Sequence, residues 1–360
     1  MTIEEFIPSA HSNQIQEGSV TYKAPSNIAL VKYWGKKMDQ IPANPSISFT
    51  LDASATTTTL SYRRLAAPAE DFSFELLFEG RPKEAFKPKI KTFFSRIEEY
   101  LPFLRQYHLK ISTSNSFPHS SGIASSASGM AALALCLMQM EKEMNPSIST
   151  IDFNRKASFL ARLGSGSACR SIEGDIVQWG RHDDIEGSSD LFGLKYPYPI
   201  HKVFKNFHDT ILLVDKGQKQ VSSTVGHNLM HNHPFADARF ELANRNLGSI
   251  KEVLASGNLK KFIEVVESEA LTLHAMMLSS IPYFVLMKPN TLEIITKIWA
   301  FRESSGTHLC FTLDAGANVH VLYPEEEKKE VYQFIKDELV AFCDNGQYIC
   351  DRIGFGAKKV

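Results

Sequence analysis

Serine, glycine and alanine dominate residues 116–129, which carry Ser116, Pro118, Ser120, Ser121, Gly122, Ala124, Ser125 and Ser126, and an apolar run over 130–138 follows without a break. Such a loop keeps little bulk between a ligand and the backbone. The first turn of a helix leaves N–H groups without partners at the positive end of its dipole, so the junction suits a phosphate group. A flexible linker has a similar composition but does not normally pass straight into an apolar helix. Residues 164–174 hold two Gly-Ser pairs around Arg170, whose planar fork suits a carboxylate; a tight turn with a chance arginine is the plainer alternative. Lys23, Lys32 and Lys36 fall within residues 19–36. Their spacing alone fits a solvated strand edge, whereas Tyr33 and Trp34 beside them suit a pocket for a charged small molecule. Asp314 opens an Asp-Ala-Gly-Ala-Asn turn and reads locally as a turn former. His227, His231 and His233 invite a zinc reading, but no partner cluster accompanies them and Pro234 ends the spacing.

The elements that must position these groups follow from periodicity. Residues 19–36 begin as a strand. Residues 44–52 alternate Ile47, Phe49 and Leu51 against Ser48, Thr50 and Asp52, and residues 56–62 and 72–78 extend the sheet, with a turn at Glu79 and Gly80. A surface helix is expected over 89–106, its basic residues a wet face. A strand over 107–113 then leads into the Ser/Gly loop. A helix over 149–163, capped by Thr150 or Asp152, precedes the Arg170 segment and a strand over 175–180. The second half opens with a buried strand over 209–215. Helices over 236–256, 259–278 and from about Thr291 follow, and a hairpin over 307–323 comes last.

The 360 residues suffice for one large or two medium domains. With 43% hydrophobic and 22% charged residues the composition is that of a soluble globular protein. A formal net charge of −1 offers no general field for nucleic acid or an anionic membrane, so any cationic site must be local. Residues 1–18 read as a polar extension without the features of a signal peptide. No apolar run approaches the roughly 20 residues of a membrane span. Five cysteines without a C-x-x-C pair point to reduced thiols and a cytoplasmic location.

The loop has no Gly-Lys-Ser/Thr and is not G-x-G-x-x-G. It resembles the Pro-x-x-x-Gly-Leu-x-Ser-Ser-Ala signature of the galactokinase, homoserine kinase, mevalonate kinase and phosphomevalonate kinase superfamily, with Ile123 in place of leucine. Within that superfamily, residues 23–52, 115–130, 162–180, 221–226 and 312–319 resemble the diphosphomevalonate decarboxylase family in order and spacing, residues 24–36 and 164–171 most specifically. The resemblance implies an α+β fold: an N-terminal domain like domain 2 of ribosomal protein S5 over 19–205, a ferredoxin-like C-terminal domain over 206–360, and an active site in the cleft between them. It implies ATP and Mg²⁺ as cofactors, mevalonate 5-diphosphate as substrate, and a homodimer.

By the same resemblance Asp314 accepts or orients the C3 hydroxyl proton, Arg170 holds the departing carboxylate, and Lys32 balances charge beside Asp314. Asn27, Tyr33, Lys36, Ser165, Ser167, Ser223 and Thr224 match substrate-binding positions. Pro118, Ser120, Ser121, Gly122, Ala124, Ser125 and Ser126 match the ATP loop, and no residue is assigned as a metal ligand. The chain departs from the family pattern at His119, at Ala317, where proline is common, and at His227, where methionine is common. A decarboxylase of the 5-monophosphate, a mevalonate 3-kinase and a non-catalytic ATP sensor are the rival readings. Keeping Lys32, Arg170 and Asp314 together argues against the last two.

Overall fold

Two long strands contribute to two cores of the molecule. The computed structural model describes residues 2–8, 13–118, 123–215 and 223–360, without the side chains of Ser223 and Thr224. β1 (Glu17–Val31) and β2 (Ser46–Arg64) pair antiparallel, followed by β3 (Ser73–Phe78) and the short β4 (Arg81–Pro82). The residues expected as two strands, 44–52 and 56–62, thus belong to one. Its middle hides the continuity because register with β1 is lost between Pro25 and Asn27. There the chain's C-terminal segment takes over: Asp351 accepts from the amides of Asp52, Ala53 and Ser54 at 2.9, 2.8 and 2.8 Å.

Helix α1 (Lys87–Ile97) ends well before Gln106. A turn and a 3₁₀ segment (Leu104–Gln106) flank Pro102, which has no N–H to continue a helix. β5 (Tyr107–Asn115) follows, then α2 (Ser125–Met144) and α3 (Thr150–Gly164). α2 is buried on nearly all sides, as its unbroken apolar run predicts. α3 is capped by Ser149, which accepts from the Asp152 amide at 3.1 Å, and not by Thr150 or Asp152. The Arg170 segment forms a 3₁₀ turn (Gly166–Ser171) leading to β6 (Ile176–Trp179) and β7 (Leu194–Lys195).

The second half runs β8 (His208–Leu212), α4 (Ser223–Asn228), α5 (Ala236–Ser256), α6 (Leu259–Ser279), α7 (Pro289–Ser305), β9 (Cys310–Leu313), β10 (Val319–Tyr323), α8 (Lys328–Phe334) and β11 (Tyr348–Arg352). Its antiparallel sheet has the order β11-β8-β10-β9. With helices between β8 and β9 and between β10 and β11, this is the β-α-β-β-α-β ferredoxin-like arrangement. The final β12 (Lys358–Lys359) returns to β1. The expected α+β architecture is therefore present.

Alternation along the strands divides the cores. Val20, Tyr22, Ala24, Leu60 and Tyr62 pack with α1, α2 and α3. Past the bulge, Ile28, Leu30, Val31, Ile47, Phe49 and Leu51 pack against Ile211 of β8 and against α5 and α6. A bulge re-aims the side chains after it, and here it carries β1 from one core into the core between the two sheets. Lys32 follows directly.

Candidate active site

At the end of β1, Lys32 is held by its backbone. Its N–H donates to Glu269 Oε2 at 2.8 Å, and its carbonyl accepts from Asn44 Nδ2 at 2.9 Å. Glu269, fully buried in α6, also accepts from Arg239 Nη2 and from Asn246 Nδ2, both at 2.6 Å. The Lys32 ammonium is buried and donates to the Ala29 carbonyl at 2.6 Å. Burial pulls its pKa down to about 8 against the opposing pull of Asp314 and Glu269. The solvated strand edge that fitted the spacing is thus not what the fold builds at Lys32.

Arg170 is equally buried. Its Nε donates to Ser48 Oγ at 3.1 Å and Asn27 Oδ1 at 3.3 Å, and Nη1 to Ser46 Oγ at 2.5 Å. Asn27 in turn donates to Ser171 Oγ at 2.8 Å and to the Ser167 carbonyl at 3.2 Å. The guanidinium lies 5.9 Å from the Trp179 ring. Its carbon framework and two nitrogens are fixed by neutral groups, so its positive charge has no carboxylate bonded to it among the described residues. Buried charge without an ionic partner is costly and suits a site that an anion will enter.

Asp314 follows β9 at the start of the hairpin turn. Its backbone carbonyl accepts from His274 Nε2 at 3.1 Å, which places the imidazole proton on Nε2, and burial pushes the His274 pKa down to about 4. The Asp314 carboxylate favours the protonated forms of Lys32, Arg170, His227 and His274. Residues 32, 170 and 314, from three distant parts of the sequence, therefore share one electrostatic environment.

Beside them, the Tyr33 ring stands edge-on to Trp179 with centroids 4.6 Å apart. Gly166 slots between these two rings: a Cβ there would come within 2.9 Å of both. Lys36 is half-buried, which lowers its pKa, and the positive charge of Arg96 lowers it further. Arg96, read from the sequence as part of a wet helix face, bonds the Leu163 carbonyl at 2.9 Å. Ser165 Oγ lies 3.2 Å from Ser126 Oγ, joining the Arg170 segment to the end of the Ser/Gly loop.

The described end of that loop is anchored by Ser26 Oγ, 2.5 Å from the Ile123 carbonyl. Ala124, at φ 46°, turns the chain into α2 with no side-chain cap on the helix. Next to it a cavity of about 230 Å³ is lined by Thr56, Phe78, Phe86, Ser125, Ser126 and Met130, among others. Ser120, Ser121 and Gly122, together with His119, lie outside the described residues; Pro118 is the last residue before them. Ser223 and Thr224 open α4, but their side chains also lie outside.

His227 and His233 are satisfied by protein groups: His227 Nδ1 accepts from the Gly35 amide at 3.0 Å, and His233 Nδ1 from that of Phe235 at 3.1 Å. Among the described residues no three carboxylate, imidazole or thiolate groups are placed to hold a metal ion. No helix among them is long and apolar enough to cross a membrane.

Sequence reasoning missed Ser46, Ser48, Glu269, Arg239, His274 and the part played by His227. Two signals were available. Ser46 and Ser48 alternate with Ile47 and Phe49, which puts both hydroxyls on one strand face. Glu269 lies at helical spacing from Phe262 and Val266 on a buried face, where an acid requires a partner.

Comparison with known proteins gives the same outline. Residues 24–190 match the diphosphomevalonate decarboxylase-like N-terminal domain, and residues 210–353 the mevalonate 5-diphosphate decarboxylase C-terminal domain. A diphosphomevalonate decarboxylase from Ganoderma lucidum is 30% identical over 359 residues, covering 94% of this chain and 86% of the relative. The solved structure of MDDEF in complex with MVAPP, AMPPCP and magnesium has a TM-score of 0.81 at 28% identity, covering 96% of this chain and 99% of the other. A structure of the mevalonate diphosphate decarboxylase from Enterococcus faecalis, concerned with mevalonate diphosphate mediated ATP binding, has a TM-score of 0.79 at 27% identity and covers 96% and 99%.

Proposed function

The chain belongs to the diphosphomevalonate decarboxylase family, and from that premise and the cleft's geometry we infer that it converts mevalonate 5-diphosphate and ATP to isopentenyl diphosphate, ADP, phosphate and carbon dioxide. The observation that carries this reading is the meeting of Lys32, Arg170 and Asp314, with the Arg170 charge bonded, among the described residues, to hydroxyl and amide oxygens and not to a carboxylate.

In this reading the substrate carboxylate becomes the ion partner that Arg170 does not have among the described residues. The C3 hydroxyl attacks the γ-phosphorus of ATP: the O–P bond forms, the bond to ADP breaks, and the hydroxyl proton passes to Asp314. Lys32 offsets negative charge on Asp314 and on the group in transfer. In the second stage the C1–C2 bond breaks, its electron pair becomes the C2–C3 double bond, and phosphate leaves C3. Arg170 aligns the breaking bond against that leaving group. Tyr33, Lys36, Ser165 and Ser167, with Ser223 and Thr224, bind toward the diphosphate, and Asn27 meets the substrate beside Arg170.

Pro118, Ala124, Ser125 and Ser126, with Ser120, Ser121 and Gly122, take the ATP phosphates. The apolar cavity beside Ser126 suits the base. Magnesium fits a site of phosphate oxygens, hydroxyls and water more than a protein cage, and when bound it neutralises charge on the nucleotide phosphates.

The division near residue 205, a cytoplasmic location and a homodimer belong to the same proposal. The first is supported by the separate sheets of the two halves, and the second by free cysteines at all five positions. Sedimentation velocity checks the third, for which a monomer at all concentrations is the contrary result.

The deciding assay follows ADP and carbon dioxide together from ATP, Mg²⁺ and mevalonate 5-diphosphate, with mevalonate and its 5-phosphate in parallel. Equal ADP and carbon dioxide from the diphosphate alone is expected. ADP without carbon dioxide would make the protein a kinase, and turnover of the monophosphate would change its substrate.

A further inference from the structure

His227 makes contacts between the two halves of the protein. It stands on α4, which belongs to the second half, yet its ring packs on residues that follow β1: centroids lie 4.3 Å from Tyr33 and 4.6 Å from Trp34. Its Nδ1 accepts the Gly35 N–H at 3.0 Å. Both partners of that bond are constrained. Gly35 has φ +94°, in the left-handed region, and a Cβ there would meet Phe240 at 2.8 Å. The neighbouring Gly226 brings α4 so near that a Cβ would fall 2.6 Å from Trp34.

An imidazole nitrogen that accepts an amide proton carries no proton itself, so His227 is neutral with its proton on Nε2. Burial, with the charges of Lys36 and Arg170 adding and Asp314 opposing, keeps it so by pushing its pKa down to about 3. Tyr33 then passes the contact on, since its other edge meets Trp179, over which Arg170 lies.

We propose that His227 is a positioning residue, a latch between the two halves: by accepting the Gly35 amide it fixes residues 33–36 against the second half of the protein and so sets the geometry in which Tyr33 and Lys36 meet the substrate's diphosphate. The consequence for substrate rests on the function proposed above. The latch itself does not.

Three measurements test it. In the wild-type protein with nitrogen-15 histidine, magnetic resonance should find His227 neutral with its proton on Nε2; a proton on Nδ1 would overturn the latch without any variant or any activity. H227F keeps an aromatic ring but removes the acceptor and leaves a buried N–H unpaired. It should raise KM for mevalonate 5-diphosphate by about tenfold, with a much smaller change in KM for ATP and in kcat. H227N, which returns an acceptor oxygen near the position of Nδ1, should recover most of that loss. An unchanged KM in H227F, an equal rise for ATP, or an H227N variant as impaired as H227F would each sink the positioning role. If the wild-type protein turns over no mevalonate 5-diphosphate, the proposed function and the substrate consequence fall together, and the tautomer alone judges the latch.

Discussion

At Lys32 the ammonium gives up most of its hydration for one carbonyl and the field of two carboxylates, which leaves it titrating near neutrality with a pKa of about 8. The charged form is present below that value and is lost as pH rises through it. If the charge serves the reaction, kcat/KM should fall on the alkaline side with a midpoint near pH 8; a profile flat well above it would remove the Lys32 charge from the mechanism. Asp314→Asn keeps the shape of the turn and removes the proton acceptor. Turnover should fall roughly 100- to 10,000-fold with ATP binding nearly intact, as single-turnover kinetics and nucleotide titration would show. Arg170→Lys replaces a fork with a point charge and cannot reproduce the bonds to Ser46 and Ser48 at once. Decarboxylation should be badly impaired, and carbon dioxide release at the wild-type rate would count against its role. The sequence made these residues legible as chemical types, through an arginine among glycines and lysines beside aromatics. It did not reveal their surroundings, because Lys32 is held by a glutamate 237 positions away and Arg170 by serines 122 and 124 positions away.

Among the elements, the end of β1 and the middle of α6 act as one unit. Glu269, itself fully buried, accepts the Lys32 amide, Arg239 and Asn246. Glu269→Gln would leave the buried Arg239 guanidinium without its counter-charge, and breaking such a pair costs about 3–5 kcal/mol. Urea unfolding should show a loss of that order, with lower turnover because the backbone of Lys32 is no longer fixed; a change under about 1 kcal/mol would mean that the network is dispensable. Elements with strong periodicity were readable: α5 spans residues 236–256, as expected from its pattern, and the hairpin at Asp314 forms as its turn residues suggest. Element ends set by remote partners were not. Ala53 and Ser54 look like a break in β2 because their amides are bonded from the far end of the chain, by Asp351. Ser165 and Ser167 read as a loop because Gly-Ser pairs lack propensity, yet Gly166 is demanded by the close approach of Tyr33 and Trp179.

For the molecule as a whole, β1 and β2 tie the halves together by packing against the second half. No sequence pattern announces that Phe49, near the start of β2, stacks within 6.3 Å of Phe262 on α6 and lies 6.1 Å from Phe207. Alternation places Phe49 on a buried face but leaves its neighbours open, since they are fixed by how two sheets meet. That meeting also aligns Lys32 and Arg170, carried by the first half, with Asp314, carried by the second. Both cores should therefore melt together, because opening the interface strips apolar cover from β1 and β2 themselves. Calorimetry should give one endotherm. Phe49→Ala, which empties a nearly fully buried site, should lower stability by about 3–5 kcal/mol while leaving the transition single. Two separated transitions in the wild-type protein would show that each half is stable without the other. The alignment of Lys32 and Arg170 with Asp314 would then depend on contacts made at the cleft, among them the Gly35–His227 bond, and not on the packing of β1 and β2 against the second half.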